Sequence, residues 1–422
     1  MRHTLLALVF ALIASAASAQ GWDSLYKARL EASAAYLEAR LALRSAEVAL
    51  DNYTKPYLPR ISVATSSSLP LTISGAGFSG TVVPSINLEN ILGADLSLKA
   101  PLKASSSGGI GLGDPSISLS RKIFVETAAD RLDAEAALMT AKSALKKAAD
   151  GVRVALATEI LNAVYYRNLL EVNKANLLVL ERVRKAQTNS SSSRELERRV
   201  LGAKKSALIA SNALAALDEE IRSGADLFYR DLLLLQDEWT ASLEEDEPRG
   251  TAAIRALELS FEAAERRKAF ALLPWLPNPG LTASLSYDMA EGQVEWGLSL
   301  SLSYDVIDKG ARSLSLLRRE EYPRIIGLKL EAARKDLAYG IRRIKGSLET
   351  LELDRQLQEL DIADAQDDVF LLERLWNGGY ASEEDFVITQ IDLSVEKLEA
   401  QRIAHDLLIQ KLNLAGYYET GL

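Results

Sequence analysis

Few side chains in this chain could make or break covalent bonds. The sequence has no cysteine and two histidines, of which only His405 lies beyond the first twenty residues. A thiolate nucleophile and a metal site of several histidines are therefore excluded. No P-loop or Rossmann glycine pattern is present, and the carboxylates are spread along predicted helix faces, although a hydrolase built on a carboxylate pair stays open. We expect no enzyme activity, no cofactor, and no catalytic or metal-binding residue.

The polar residues that do cluster follow a turn. Gly378 and Gly379 predict a tight turn with positive φ, because glycine adopts that conformation without steric cost. Ser382 is a typical N-cap residue. Three acidic residues ending at Asp385 come next, and the dipole of a helix favours negative charge in its first turn. The simplest interpretation of this cluster is therefore that it starts a helix.

The composition indicates an exported protein rich in long helices. Apolar residues make up 48% and charged residues 25% of the 422 residues, whereas aromatic residues make up only 6%. This balance, with abundant alanine and leucine, is typical of long helices. Residues 1–19 combine Arg2, an apolar stretch and the small residues Ala17 and Ala19, which predicts a cleaved signal peptide rather than a membrane anchor. The formal net charge of −9 argues against a nucleic-acid partner.

Short segments with a period of two predict β-strands. Val294, Trp296 and Leu298 alternate with small or polar residues, residues 281–287 follow the same pattern, and the link between them contains Gly292. The first half offers three further candidates and one Ser/Gly-rich segment, interpreted as a loop or an insertion. The candidates are 61–63, 96–102 and 117–119, and the Ser/Gly-rich segment is 66–85. Such strands fit either a membrane barrel with lipid outside and water inside or a soluble sheet with one wet face.

Long stretches of helical pattern fill most of the remaining chain. In both halves a long helix is followed by a turn and a returning helix. In the first half the predicted helices are 125–187 and 194–243, joined by a turn at 187–193. In the second half they are 251–273 and 310–376, and a turn at 377–380 leads into a further helix. Pro323 is expected to kink or interrupt the second long helix.

The order of these elements occurs twice. Residues 117–124 align with 300–307, and each segment precedes a long helix, a tight turn and a returning helix. We therefore predict an internal tandem duplication. The expected organisation is a signal peptide at 1–19, a first repeat at 20–245 and a second repeat at 246–422.

One stretch carries a family signature. Residues 376–390 resemble the Gly-x-x-Ser-x-x-Asp-hydrophobic-hydrophobic-x-x-Gln pattern of TolC-like outer-membrane efflux proteins, and residues 296–310 resemble the strand that leads into the family's second long helix. The positions that match the signature are Gly379, Ser382, Asp385, Phe386, Val387 and Gln390. The similarity in element order covers nearly all of the chain beyond the signal peptide.

This resemblance implies a mainly α fold with a small β part. In the family three copies assemble, so that long antiparallel helical hairpins form an α-barrel in the periplasm and four strands per chain form a 12-stranded transmembrane β-barrel. The implied function is a passive outer-membrane exit duct for efflux or secretion. The implied partners are outer-membrane lipid, a periplasmic adaptor protein and an inner-membrane transporter. The alternative is a periplasmic coiled-coil structural or scaffolding protein without a pore.

The resemblance also implies roles for particular residues. Asp385 matches a pore-entrance position, where three copies would repel one another and bind cations. A second acidic position that some family members carry is Ile388 here. Both helical turns are implied to form the tip that meets the adaptor, and aromatic residues are implied to lie at the membrane interface. The tip residues are Gly378, Gly379, Tyr380, Ser382, Asn189 and Ser190, and the interface aromatic residues are Tyr287, Trp296 and Tyr304.

Overall fold

The described part of the chain is mainly helical and contains one small antiparallel sheet, as the sequence predicts. The computed structural model describes residues 21–65, 79–91, 93–105, 109–186, 192–245, 251–289, 291–302 and 308–418. The predicted signal peptide at 1–19 lies outside these residues.

Two compact units are built from segments that alternate along the chain. Unit 1 comprises Met1–Glu38, Leu145–Thr251 and Lys335–Leu422, and unit 2 comprises Ala39–Ala144 and Ala252–Arg334. Each unit therefore takes segments from both predicted repeats, and the division into repeats at 20–245 and 246–422 stays a prediction.

Eight α-helices are present in the described residues. They are α1 (21–32), α2 (Ala34–Thr54), α3 (Thr127–Ala186), α4 (Ser192–Ala215), α5 (Glu219–Glu245), α6 (Ala252–Ala269), α7 (Ala311–Asn377) and α8 (Glu383–Ala415). The 60 residues of α3 and the 67 residues of α7 correspond to lengths of roughly 90 and 100 Å at ~1.5 Å per residue. Both long helices start and end within two residues of their predicted bounds.

Two details of the helices differ from the sequence prediction. The returning helix of the first half is not continuous, because the chain leaves the helix between α4 and α5. Asp218 directly precedes α5, its carbonyl accepts a hydrogen bond from the Arg222 N–H at 3.0 Å, and the next two residues are acidic, which favours a new helix start. α7 also runs through Pro323, so an interruption, one of the two effects predicted for this proline, is not observed there, and the kink stays a prediction. The Pro323 side chain is fully buried.

The sheet lies in unit 2 and has eight strands in the described residues. The strands are β1 (Arg60–Thr65), β2 (Ser79–Ile91), β3 (Ala94–Lys99), β4 (Leu102–Ser105), β5 (Gly109–Leu112), β6 (Ser116–Lys122), β7 (Gly280–Asp288) and β8 (Gln293–Ser301). Their order is β5-β4-β2-β3-β6-β7-β8, β1 pairs with β2, and every pairing is antiparallel. The hairpin predicted around Gly292 is confirmed, with φ of +67° at that glycine.

The number of strands is the largest difference between the structure and the sequence-based expectation, which was four strands per chain. Residues 79–85, predicted to be part of a loop or insertion, belong to β2, while 66–78 lie outside the described residues. Pro84 and the Ser/Gly-rich context conceal the alternation of β2. Pro84 has no N–H to donate to the neighbouring strand, but its carbonyl still accepts from the Ala100 N–H at 3.0 Å. The predicted strand at 96–102 is divided into β3 and β4 at Pro101.

The largest apolar core belongs to unit 1. Helices α1, α3, α5 and α8 contribute to it, and the side chains of Leu156, Ile160, Ile221, Leu232 and Leu408 are buried there. In unit 2, Leu132 and Ala136 of α3 pack against Leu259 and Ala263 of α6. The small residues along α3 and α6 allow the helices to approach closely, which explains how a chain with few aromatic residues buries its apolar surface.

Candidate functional site

The two faces of the sheet are chemically different. Residues that pair across the strands share a face, because side chains alternate along each strand. One apolar row crosses the whole sheet from β1 to β8. Its members, in order, are Ile61, Ile86, Leu98, Ile117, Leu285 and Trp296. The adjacent row of paired residues lies on the opposite face and consists of Arg60, Asn87, Ser97, Ser118, Ser284 and Gly297.

The apolar face is open rather than packed against protein. Ile61 is 70% exposed and Trp296 is 80% exposed, and the residues between them in the row are 39–45% exposed. Soluble monomers seldom expose a continuous apolar surface of this size. The face therefore requires an apolar partner.

The other face consists mainly of small hydroxyl and amide side chains. The hydroxyls of Ser62 and Ser85 are hydrogen bonded at 2.7 Å, and Ser97 donates to Asn87 Oδ1 at 2.6 Å. On the last hairpin, Ser299 donates to the Thr282 carbonyl at 3.4 Å. Water satisfies side chains of this kind without cost, so this face is suited to an aqueous compartment.

The predicted interface aromatic residues are placed on the apolar face where the structure describes them. Tyr287 pairs with Val294 and Leu285 pairs with Trp296, so both aromatic side chains lie on one face near the β7–β8 turn. Tyr304 lies outside the described residues. The grouping of a tyrosine and a tryptophan at one end of the sheet is typical of a membrane boundary.

The turn between α7 and α8 is tightly hydrogen bonded. The Gly378 N–H donates to the Arg374 carbonyl at 3.0 Å and the Tyr380 N–H donates to the Leu375 carbonyl at 2.8 Å, which terminates α7. Of the two glycines only Gly379 has positive φ, at +75°. Tyr380 is 86% exposed at this turn. Of the other predicted tip residues, Asn189 and Ser190 lie outside the described residues.

A pair of aromatic residues closes this turn. The rings of Trp376 and Phe386 are stacked, with centroids 5.2 Å apart and planes 8° apart. One ring belongs to the last turn of α7 and the other to the first turn of α8, so the stack holds the two helix ends together. Phe386 belongs to the signature, but the sequence pattern does not predict its contact with Trp376.

Ser382 and Asp385 form a reciprocal cap at the start of α8. Ser382 is the N-cap, as predicted, and its Oγ accepts from the Asp385 N–H at 3.1 Å. The same hydroxyl donates to Asp385 Oδ2 at 2.7 Å. Asp385 is exposed, so its carboxylate stabilises the helix start and still faces solvent.

Two polar side chains are buried in unit 1 without full hydrogen bonding. His405 is 6% exposed, its Nε2 has no partner among the described residues, and Tyr229 packs edge-on at 5.6 Å. Burial lowers the pKa of His405 to about 4, so the imidazole is neutral at physiological pH. Asp231 is 1% exposed, and its Oδ2 accepts from the Trp22 N–H at 3.3 Å while Oδ1 has no partner among the described residues. Burial raises the pKa of Asp231.

The described residues contain neither a candidate metal site nor a candidate membrane-spanning helix. No group of three or more histidine or acidic side chains there is arranged to hold a metal ion. No helix in the same part of the chain combines the length and the apolar character that crossing a membrane requires.

Comparison with solved structures identifies the fold. No protein-family model and no curated protein sequence matches the chain. The MtrE outer membrane channel of Neisseria gonorrhoeae aligns with a TM-score of 0.59 at 16% identity, over 94% of this chain and 88% of MtrE. The CmeC outer membrane channel of Campylobacter jejuni gives 0.59 at 10% identity, over 96% and 87% of the two chains. The outer membrane protein VceC of Vibrio cholerae gives 0.55 at 14% identity, over 94% and 95%.

MtrE and CmeC are outer membrane channels, and VceC is an outer membrane protein. The chain has the fold of the TolC-like outer membrane channels, and the resemblance inferred from the signature is confirmed at the level of the fold.

Proposed function

We propose that this protein is an outer-membrane exit duct for efflux or secretion. The observation that carries the proposal is the sheet, which has one open apolar face and one hydroxyl-rich face. Lipid would cover the apolar face and water would contact the polar face. The fold shared with known outer membrane channels supports this assignment.

The apolar face supports a location in the outer membrane. Tyr287 and Trp296 are proposed to lie at the boundary between lipid and water, together with Tyr304. The long helices would then extend into the periplasm. A sheet of this kind in lipid requires a partner for each outer strand, because unpaired backbone groups are costly in the bilayer core.

A homotrimer with a helical barrel is the proposed assembly. The long helices α3 and α7, each followed by a returning helix, supply the elements of such a barrel, and the element order of the two halves is consistent with the tandem duplication predicted from the sequence. The duct is proposed to be passive and to dock a periplasmic adaptor protein and an inner-membrane transporter, which would supply the energy. The proposed adaptor contacts are Gly378, Gly379, Tyr380 and Ser382, with Asn189 and Ser190 on the other turn.

Asp385 is proposed to line the periplasmic entrance. Its exposed carboxylate stands at the α7–α8 turn, and three copies around an axis would concentrate negative charge there. Such a ring would bind cations and narrow the path.

Two neighbouring positions of β8 test the assignment of the faces. Leu298 is on the apolar face opposite Ala283, and Ser299 is on the polar face opposite Thr282. Leu298→Lys should reduce the membrane-inserted fraction strongly, because a lysine facing lipid near the middle of a strand costs about 2–4 kcal/mol. Ser299→Lys is the matched control and should insert normally. Equal insertion of the two variants, or recovery of the unmodified protein in water without detergent, would refute the proposal and favour the periplasmic scaffold.

A further inference from the structure

The eight strands of the described sheet occupy six positions side by side. β2 pairs along one edge with β3 through residues 85–91 and with β4 through residues 79–82, so β3 and β4 follow one another in a single position. β5 and β6 likewise share the next position, because β5 pairs with β4 and β6 pairs with β3. Hydrogen bonding to β7 continues in the segment between β5 and β6, because the Tyr287 N–H donates to the Pro115 carbonyl at 3.0 Å.

The first of the six positions belongs fully to the sheet. All six residues of β1 pair with β2, from Arg60 opposite Asn87 to Thr65 opposite Val82. β1 also has the two-faced character of the other strands, since Ile61 and Val63 are 70% and 67% exposed on the apolar face. The opposite outer strand, β8, presents Val294 and Leu298 in the same manner at 62% and 65%. The two outer strands therefore have the same preference for lipid on one side.

The outer strands are suited to pair with each other between copies. Neither the free edge of β1 nor that of β8 has a strand partner among the described residues. Each position is antiparallel to its neighbour, so β8 of one copy and β1 of the next would also meet antiparallel. An even number of positions allows this alternation to continue around a closed sheet. Closure of that kind pairs every backbone group within the bilayer.

We propose that each copy of this chain contributes six strand positions to the barrel, so that three copies close an eighteen-stranded barrel instead of the twelve-stranded one implied by the sequence resemblance. This inference rests on the proposed function. The additional pair of positions is the hairpin of β2 with β3 and β4. Because the diameter of a barrel grows roughly linearly with strand number, the membrane pore would be about 1.5 times as wide.

Engineered disulfides test which strand of the next copy meets β8. The chain has no cysteine, so introduced pairs have no background. Ser62→Cys in β1 is combined in turn with Glu295→Cys, Ser299→Cys and Ser301→Cys in β8, which scans the unknown register on the polar face. Within one copy these strands are separated by five spacings of ~4.8 Å, too far for a disulfide. The full-length mature protein is oxidised in outer membranes, and its covalent species are resolved without reductant.

The control combines the same β8 cysteines with Lys99→Cys in β3, whose neighbours on both sides are strands of its own copy. We expect at least one Ser62→Cys pair to give covalent trimers and the Lys99→Cys pairs to give none. Covalent trimers from the Lys99→Cys pairs would mean that each copy contributes only four strand positions to the barrel, and they would overturn the proposal. The proposal would also be overturned if the largest covalent species contained two copies. The same holds if the protein has the mass of a trimer but no Ser62→Cys pair forms a crosslink. A monomer that does not insert into membranes would instead refute the proposed function.

Discussion

At the residue scale, the carboxylate of Asp385 has both a structural role and a proposed functional one. It accepts from Ser382 Oγ at 2.7 Å and so helps to start α8, yet it remains exposed. Asp385→Asn retains the size and a hydrogen-bond acceptor but removes the charge. If three copies line the entrance, the variant should lose cation preference or conduct more current in planar bilayers. Glu383→Gln, which changes an exposed acidic residue of the same helical turn, is the control. Unchanged currents would remove Asp385 from the entrance.

The buried His405 gives a prediction about pH. Its pKa is lowered to about 4 by burial, whereas an unfolded histidine has a pKa of about 6.5. Between these values the unfolded chain binds more protons, so the free energy of unfolding decreases as the pH falls from about 6.5 to about 4. His405→Phe keeps a ring against Tyr229 and removes this titration. Denaturant unfolding at several pH values should therefore show a shallower decrease in the variant.

The comparison is internally controlled, because Asp231 is present in both proteins. The raised pKa of Asp231 acts in the opposite direction, since the folded state keeps its proton to higher pH than the unfolded state. Its contribution cancels in the difference between wild type and variant. Parallel pH profiles for the two proteins would contradict the assignment of the titration to His405.

Local signals predicted the residues of the turn but not the buried polar groups. Ser382 and Gly379 follow from the conformations that serine and glycine favour at caps and turns. Asp231 is followed by four leucines in an ordinary helical segment, and its partner Trp22 is 209 positions away. Only tertiary packing creates that contact, so no sequence pattern could have found it.

At the scale of the elements, an arginine joins three helices of unit 2. Arg319 of α7 donates to both carboxylate oxygens of Glu126, just before α3, at 2.6 and 2.8 Å and to the Arg267 carbonyl of α6 at 3.2 Å. Arg267 in turn pairs with Asp130 at 2.7 Å and with Asp133. Both partners of the Arg319–Glu126 pair are largely shielded, at 16% and 20% side-chain exposure, so this pair is less screened than a surface ion pair.

Removal of that arginine should weaken unit 2. Arg319→Ala should lower the free energy of unfolding by about 2–3 kcal/mol, because it leaves the Glu126 carboxylate and the Arg267 and Phe270 carbonyls without their donor. Arg319→Lys should recover only part of the loss, since an ammonium lacks the planar fork. Arg318→Ala changes an exposed neighbour and should stay within about 0.5 kcal/mol of wild type. Similar losses for Arg318→Ala and Arg319→Ala would show that the pairing is not responsible.

The elements themselves were predictable to different degrees. The long helices and the β7–β8 hairpin follow from strong periodicity and clear turn residues. β2 was missed because Pro84 and the preceding Ser/Gly-rich residues conceal a valid alternation, and the α4–α5 break was missed because Asp218 lies in an otherwise helical pattern.

At the scale of the whole molecule, the order of the elements carries more information than any one of them. The repeated sequence of strands, long helix, turn and returning helix, together with the signature at 376–390, was sufficient to predict the fold that structural comparison confirms. The number of strands was not predictable in that way, because each strand gives only a weak signal. The same weakness explains why the strand count is where this chain departs from the expectation.

The central claim is that the chain forms a membrane duct, and planar-bilayer recording of the detergent-extracted mature protein tests it most directly. The mass of the detergent-solubilised protein is determined first, and the same preparation is then added to the bilayer. We expect stable trimers that insert and give discrete, cation-preferring current steps. A protein that stays in water without detergent, does not form trimers and never produces a current would contradict the account.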